Sequence, residues 1–188
     1  MTKALSIVGS SRSNGEREKD DFYPTPSYAV DELLKREVFN GNIWECACGE
    51  GWLSKEIEKY GVLSKSTDLI DRGYGVGGFD FLSEENRDWS GDIITNPPYK
   101  YAKQFIEKSL DIIPKGNKIA MFLKLTFLES KGRKQMFIDN PPKTLYVSSS
   151  RIKCYKNGEQ SETSSAIAYG WYVWEKGFKG NTTIKWIN

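Results

Sequence analysis

Gly91-Asp92-Ile93-Ile94-Thr95-Asn96-Pro97-Pro98-Tyr99 is the stretch on which the reading of this chain turns. Ile93, Ile94 and Thr95 are β-branched and predict a strand. Pro97 and Pro98 end it, because proline has a fixed φ and no backbone N–H. Asn96 precedes a proline, which drives its backbone out of the helical region. The expected result is a stiff loop just past a strand, carrying one amide and one aromatic ring. A helical pattern resumes from Tyr101, with Phe105, Ile106, Ser109 and Leu110. Loops past the C-terminal ends of strands are where open α/β sheets keep their ligand sites. The Asn96 side-chain oxygen and the Pro97 carbonyl are both acceptors. Two acceptors close together suit an exocyclic NH2, which has two protons to give. Tyr99 offers a flat face to a base, and such stacking contributes about 1–3 kcal/mol. The tripeptide recurs as Asn140-Pro141-Pro142, but lysine follows it and no apolar strand run leads into it. That copy reads as a turn ending a helix.

The rest of the chain bounds what the first loop can belong to. At 188 residues the chain suits one domain with its own core. The sequence contains no histidine, which excludes His-based catalytic triads and His-ligated metal sites. Cysteines number only three, and Cys46 and Cys48 are separated by one residue. That predicts reduced, intracellular thiols rather than a disulfide framework, and no metal is expected. No apolar run approaches the length of a membrane span. The N-terminus lacks the apolar run of a signal peptide. An intracellular protein with no membrane partner is therefore expected. A net charge of +2 neither demands nor excludes nucleic acid, although Lys100, Lys103 and Lys108 follow the Asn96 loop.

Residues 1–20 read as a flexible tail, and residues 21–188 as a single domain. Asp21-Phe22-Tyr23-Pro24-Thr25-Pro26 is an extended, aromatic segment. Ser27 is placed to cap a helix carrying Val30, Leu33, Leu34 and Phe39 on one face. A short strand at Asn42–Glu45 runs into Cys46-Ala47-Cys48-Gly49-Glu50-Gly51, and a helix starts near Trp52 with Leu53, Ile57 and Tyr60. Glycine lets a backbone approach a ligand closely. Leu63–Thr67 is the next strand, and Asp68 ends it. Strand, Gly-x-Gly, helix, then an acid at the next strand's end is the pattern in which the acid binds a ribose hydroxyl. The third glycine of a dinucleotide fingerprint is replaced by Ser54, and a nucleoside without pyrophosphate does not need it. Phe79-Asp80-Phe81-Leu82 pairs an acid with aromatics, which suits an adenine and equally suits a buried turn capped by Asp80. Further strands are expected at Lys118–Leu125, Lys143–Val147, Ala166–Trp174 and Thr182–Ile187. A short basic helix is expected over Lys131–Ile138. Ser148–Ser165 is a polar loop with Arg151, Lys153 and Lys156. Strands alternating with helices predict an α/β domain with a mainly parallel sheet.

With these residues in hand, the chain resembles the S-adenosylmethionine-dependent DNA N6-adenine methyltransferases of the Asn-Pro-Pro-Tyr type, over roughly residues 21–175. The resemblance implies a Rossmann-like methyltransferase fold, a mainly parallel seven-stranded sheet with an antiparallel C-terminal strand. The catalytic motif of the family matches Asn96, Pro97, Pro98 and Tyr99. Its methionine-binding turn matches Glu45, Cys46, Ala47, Gly49 and Gly51. Its ribose acid matches Asp68, its adenine-binding pair matches Asp80 and Phe81, and its pre-sheet cofactor segment matches Phe22, Tyr23, Pro24 and Thr25. Asn96 is expected to border the cofactor as well. Tyr169 or Trp171 is expected to help hold a base flipped out of DNA. Lys100, Arg151 and Lys153 flank the site in sequence and are candidates for DNA phosphates. The implied cofactor is S-adenosylmethionine, and the implied substrate is adenine in DNA. No separate target-recognition domain is expected, so a specificity partner would have to supply any long readout. The loop recognises an amine, and its surroundings choose the ring. N4-cytosine, an RNA amine, and a non-catalytic module of the same fold therefore stay open.

Overall fold

Among the described residues, strands form at β1 (Ile43–Glu45), β2 (Leu63–Ser66), β3 (Asp92–Thr95), β4 (Lys118–Lys124), β5 (Thr144–Val147), β6 (Tyr169–Glu175) and β7 (Thr183–Trp186). The computed structural model describes residues 24–85, 88–149 and 167–187. The strands make one seven-stranded sheet in the order β2-β1-β3-β4-β6-β5-β7. Strands β2, β1, β3 and β4 pair in parallel. The antiparallel member is β6, which runs against both β4 and β5. Edge strand β7 pairs in parallel with β5.

Among the described residues, four α-helices flank the sheet: α1 (Ser27–Leu34), α2 (Trp52–Glu58), α3 (Ala102–Ile112) and α4 (Lys134–Asp139). Among the described residues, no helix is long and apolar enough to cross a membrane. The period of two along the strands divides the core. On one face Ile119, Met121 and Leu123 of β4 meet Tyr172 and Trp174 of β6 and Phe105 and Ile106 of α3. On the other face Ala120 and Phe122 meet Trp171 and Val173, with Ala29, Val30 and Leu33 of α1. Gly91 is required by this crowding at the start of β3, since a Cβ there would stand 1.9 Å from the Asn42 carbonyl oxygen.

Several local expectations are corrected. Ser27 does not cap α1: Pro26 stands at the N-cap with extended backbone, and no side chain caps the helix. Its carbonyl accepts from Ala29 N–H at 3.0 Å. Helix α1 stops at Leu34, and Phe39 reaches the same apolar cluster from the loop beyond. Tyr60 lies past the end of α2, where its hydroxyl donates to Asp31 of α1. The basic helix is two pieces, a 3-10 turn over Lys131–Arg133 and then α4. The residue 1–20 tail, Phe22, Tyr23, Arg151, Lys153 and Lys156 lie outside the described residues.

Candidate active site

Parallel pairing brings the C-terminal ends of β1, β2 and β3 to one side of the sheet. The segments that follow them enclose a cavity of about 550 Å³. After β1 the wall is Cys46, Ala47 and Cys48; after β2 it is Asp68, Leu69, Ile70 and Arg72. Asp80, Phe81 and Leu82 close one side, and Asn96, Pro98, Lys100 and Tyr101 another, with Pro24 and Thr25 beside them. Candidate residues of five separate segments thus share one space.

The glycine turn and the acid after β2 are one unit. Gly49 N–H donates to Asp68 Oδ2 at 2.8 Å, and Ile70 N–H donates to Oδ1 at 2.8 Å. Each carboxylate oxygen has a second lone pair, so Asp68 can hold its turn and still accept from a ligand hydroxyl. Gly49 and Gly51 lie behind the cavity wall, shaping it. Gly51 has φ 80° at the N-cap of α2, and the Tyr74 ring occupies the space its Cβ would need, at 2.5 Å. No residue with a side chain fits there. Asp80 Oδ1 accepts from Leu82 N–H at 2.9 Å. The Phe81 ring is buried, edge-on to Trp44 at 5.1 Å and tilted over Phe105 at 5.0 Å.

Glu45 ends β1 in a dry corner of the same wall, only 2% exposed. Ser54 Oγ donates to its Oε2, and Ser54 Oγ lies 2.8 Å from Ser66 Oγ. Burial nevertheless pushes the Glu45 carboxyl up to about 8, because removal from water disfavours its charged form. Burial likewise raises Cys46 far above the ordinary thiol range and Cys48 to about 12. Both thiols are protonated at neutral pH and are poor nucleophiles there.

The Asn96 loop borders this space from β3. Asn96 is half-buried, and its Nδ2 donates to Thr25 Oγ1 at 3.0 Å. Pro97 is buried and Pro98 is half-buried on the cavity wall. The Pro98 carbonyl accepts from Tyr101 N–H at 2.9 Å, which closes the 3-10 turn Tyr99–Tyr101 ahead of α3. Tyr99 lies just outside the cavity lining, tilted against Tyr169 with ring centroids 6.1 Å apart. Tyr169 in turn stacks on Phe122 at 5.4 Å and 10°. Lys124 Nζ stands 4.5 Å from the Tyr99 ring centroid, and Lys100 Nζ stands 5.1 Å from that of Tyr101.

The structure separates the two candidates on β6. Tyr169 is level with Lys124 at the cavity end, whereas Trp171 pairs with Phe122 deeper in the sheet. Trp171 is fully buried, and its Nε1 donates to the Ala29 carbonyl at 2.7 Å. It anchors α1 to the sheet and does not reach the cavity. Residue-level reading missed Lys124, Tyr101 and Arg72, and it missed the link from Thr25 to Asn96. For Lys124 a signal existed: β3 and β4 are parallel with Thr95 level with Met121, so the end of β4 lies beside the loop after β3.

No protein-family model matches the chain, and no curated protein matches it. Solved structures do. A candidate class I S-adenosylmethionine-dependent methyltransferase from Listeria monocytogenes is 12% identical, over 85% of this chain and 62% of that one, with a TM-score of 0.57. The modification subunit of a candidate type I restriction enzyme from Vibrio vulnificus YJ016 is 14% identical over 90% of this chain and 48% of its own, with a TM-score of 0.59. A candidate RNA methyltransferase from Pyrococcus horikoshii is 14% identical over 84% and 87%, with a TM-score of 0.58. This chain therefore spans less than two thirds of the length of the first two. At such identities the likeness is one of fold. It places the architecture among Rossmann-like methyltransferase folds, α/β with a mixed seven-stranded sheet.

Proposed function

We propose that this protein transfers a methyl group from S-adenosylmethionine to the exocyclic N6 amine of adenine in DNA. The observation that carries the reading is the position of Asn96. Asn96 lies on the wall of the cavity that is also lined by Cys46, Ala47 and Cys48 after β1, by Asp68 and by Asp80-Phe81. Similar architecture in proteins described as S-adenosylmethionine-dependent and as a restriction-modification subunit supports it.

The residues present fit the cofactor. A volume of about 550 Å³ lies within the range of small-molecule sites, about 300–1,000 Å³. Asp68 can accept from a ribose diol, Asp80 can accept from an adenine amine, and the Phe81 ring supplies an apolar wall. When bound, the cofactor supplies an electrophilic methyl group on a sulfonium.

The chain's own task is to make a poor nucleophile usable. The amine of adenine is weakly nucleophilic because its lone pair is delocalised into the ring. Asn96 Oδ1 and the Pro97 carbonyl accept its two N–H groups and favour a pyramidal nitrogen. The lone pair is then released from the ring and directed into the cavity. Positive charge develops on that nitrogen, where the two acceptors offset it, and the surplus N–H proton is then released to solvent. Neutral, buried Cys46 and Cys48 take no covalent part. The base must leave its stack to reach the loop, and Tyr99 offers it a face. Lys124 Nζ lies over that ring. With Lys100, its ammonium is a candidate for a backbone phosphate.

Oligonucleotides differing in a single base test the reading. The protein is incubated with methyl-labelled cofactor and strands carrying adenine, purine without the 6-amine, or cytosine. Label is expected on the adenine strand alone, more in single-stranded or mismatched contexts than in perfect duplex. Label on cytosine reassigns the ring, and label on RNA but not DNA reassigns the substrate.

A further inference from the structure

We infer that Thr25 is a positioning residue for Asn96, holding the amide with its nitrogen turned away and its oxygen toward the incoming amine. The inference rests on the methyltransferase reading above and adds to it a residue that never touches the reacting atoms. An asparagine side chain has a donor end and an acceptor end of almost the same size. Only one orientation is productive. With Nδ2 forward, two N–H donors would face the donors of the substrate amine, and neither would have an acceptor. Something must therefore take the Nδ2 protons on the other side. Thr25 Oγ1 does so, 3.0 Å from Nδ2, across 71 residues of sequence.

The hydroxyl is delivered by a rigid support. Thr25 is 3% exposed and sits between Pro24 and Pro26. Each proline has a fixed φ and no N–H to compete for the hydroxyl. Pro26 is the N-cap of α1, whose Ala29, Val30 and Leu33 are fully buried. The bond from Trp171 Nε1 to the Ala29 carbonyl ties that helix to β6 at 2.7 Å. Asn96 itself leaves a central strand through a Pro-Pro pair. Two stiff segments, side by side on the cavity wall, thus meet at one hydrogen bond, and rigid support of this kind is what keeps a catalytic group in productive geometry.

Thr25→Val keeps the shape and removes the acceptor, whereas Thr25→Ser keeps the hydroxyl. The Val variant is expected to lose about tenfold in kcat, the scale of one lost hydrogen bond with a buried donor left unmet. KM for DNA should change less than twofold to threefold. The Ser variant should recover most of the rate. In the Asn96→Ala background, Thr25→Val should cost nothing further, because the group it positions is gone. A readout independent of turnover is the 15N-resolved side-chain amide of Asn96 in the free protein. Its Nδ2 protons should be protected from exchange in wild type and in the Ser variant, and exposed in the Val variant. Unprotected Nδ2 protons in wild type, or equal kcat in wild type and the Val variant, overturn the inference. So does a full further loss on adding Thr25→Val to Asn96→Ala. A wild-type protein that methylates no base defeats the functional reading instead, and the amide protection then decides the orientation alone.

Discussion

The same tripeptide occurs twice and does two different things. Asn96-Pro97-Pro98 follows the central strand β3 and borders the cavity, with its amide nitrogen on Thr25. Asn140-Pro141-Pro142 follows α4, and Asn140 is the C-cap of that helix, its N–H donating to the Met136 carbonyl at 2.9 Å. Its backbone acceptors are spent on the fold. The Asn140 carbonyl takes Trp174 Nε1 at 2.9 Å, and the Pro142 carbonyl takes Thr182 Oγ1 at 2.7 Å. What distinguishes the copies is the element before each one. A buried parallel strand delivers its loop to the ligand end of the sheet, and a surface helix delivers its turn to a strand that needs stitching.

The sharpest way to break the comparison is to remove both amides in turn. Asn96→Ala should lower single-turnover methyl transfer by about a hundredfold or more, the scale of losing one preorganised transition-state hydrogen bond. Cofactor affinity should survive. Asn140→Ala keeps the backbone carbonyl and should leave the rate within about twofold, since surface changes away from special features have small effects. Asp68→Ala tests whether the cavity end is a cofactor site. Calorimetry should show affinity lowered roughly tenfold to a hundredfold, as hydrogen bonds to a charged group are worth about 1.5–3 kcal/mol. Unchanged affinity in the folded variant would remove Asp68 from the site.

Smaller effects sharpen the picture at the same end. Lys124→Ala should reduce the slope of log K against log salt for DNA by about one phosphate contact, with binding weakened across all sequences alike. An unaltered slope would return Lys124 to a packing role over Tyr99. Glu45 gives a pH signature in stability. Its carboxyl is raised from 4.5 to about 8, so within that window the folded protein keeps a proton that the unfolded chain has released. Stability should therefore fall as pH rises from 4.5 to about 8, by at most about 1.4 kcal/mol per pH unit. Glu45→Gln should flatten that part of the profile in denaturant titrations, and an unchanged slope would assign it to other groups.

Much of this fold was legible in the sequence. β-branched and aromatic residues mark β1 and β3 to β7 to within three residues, since such side chains suit a pleated surface; β2, Leu-Ser-Lys-Ser, carries none and was legible only from its place between the glycine turn and Asp68. Asp68 and the glycine turn were legible as a pair, since the chain reaches both at consecutive strand ends. Three things were not. Tyr169 and Trp171 share one face of β6, and only the register with β4 shows which of them reaches the cavity end. The bond from Thr25 to Asn96 joins segments 71 residues apart, which no local pattern encodes. The altered Glu45 acidity comes from burial, and burial belongs to the folded chain.

The most direct test of the central claim is the chemical identity of the product. The protein is incubated with methyl-labelled S-adenosylmethionine and a mixture of unmethylated DNA and RNA. The nucleic acids are digested, and the labelled nucleosides are identified by mass spectrometry. The account predicts N6-methyldeoxyadenosine, formed by wild type and absent with Asn96→Ala. Label on a ring carbon or a hydroxyl oxygen, or undiminished N6-methyldeoxyadenosine from the Asn96→Ala variant, would contradict it.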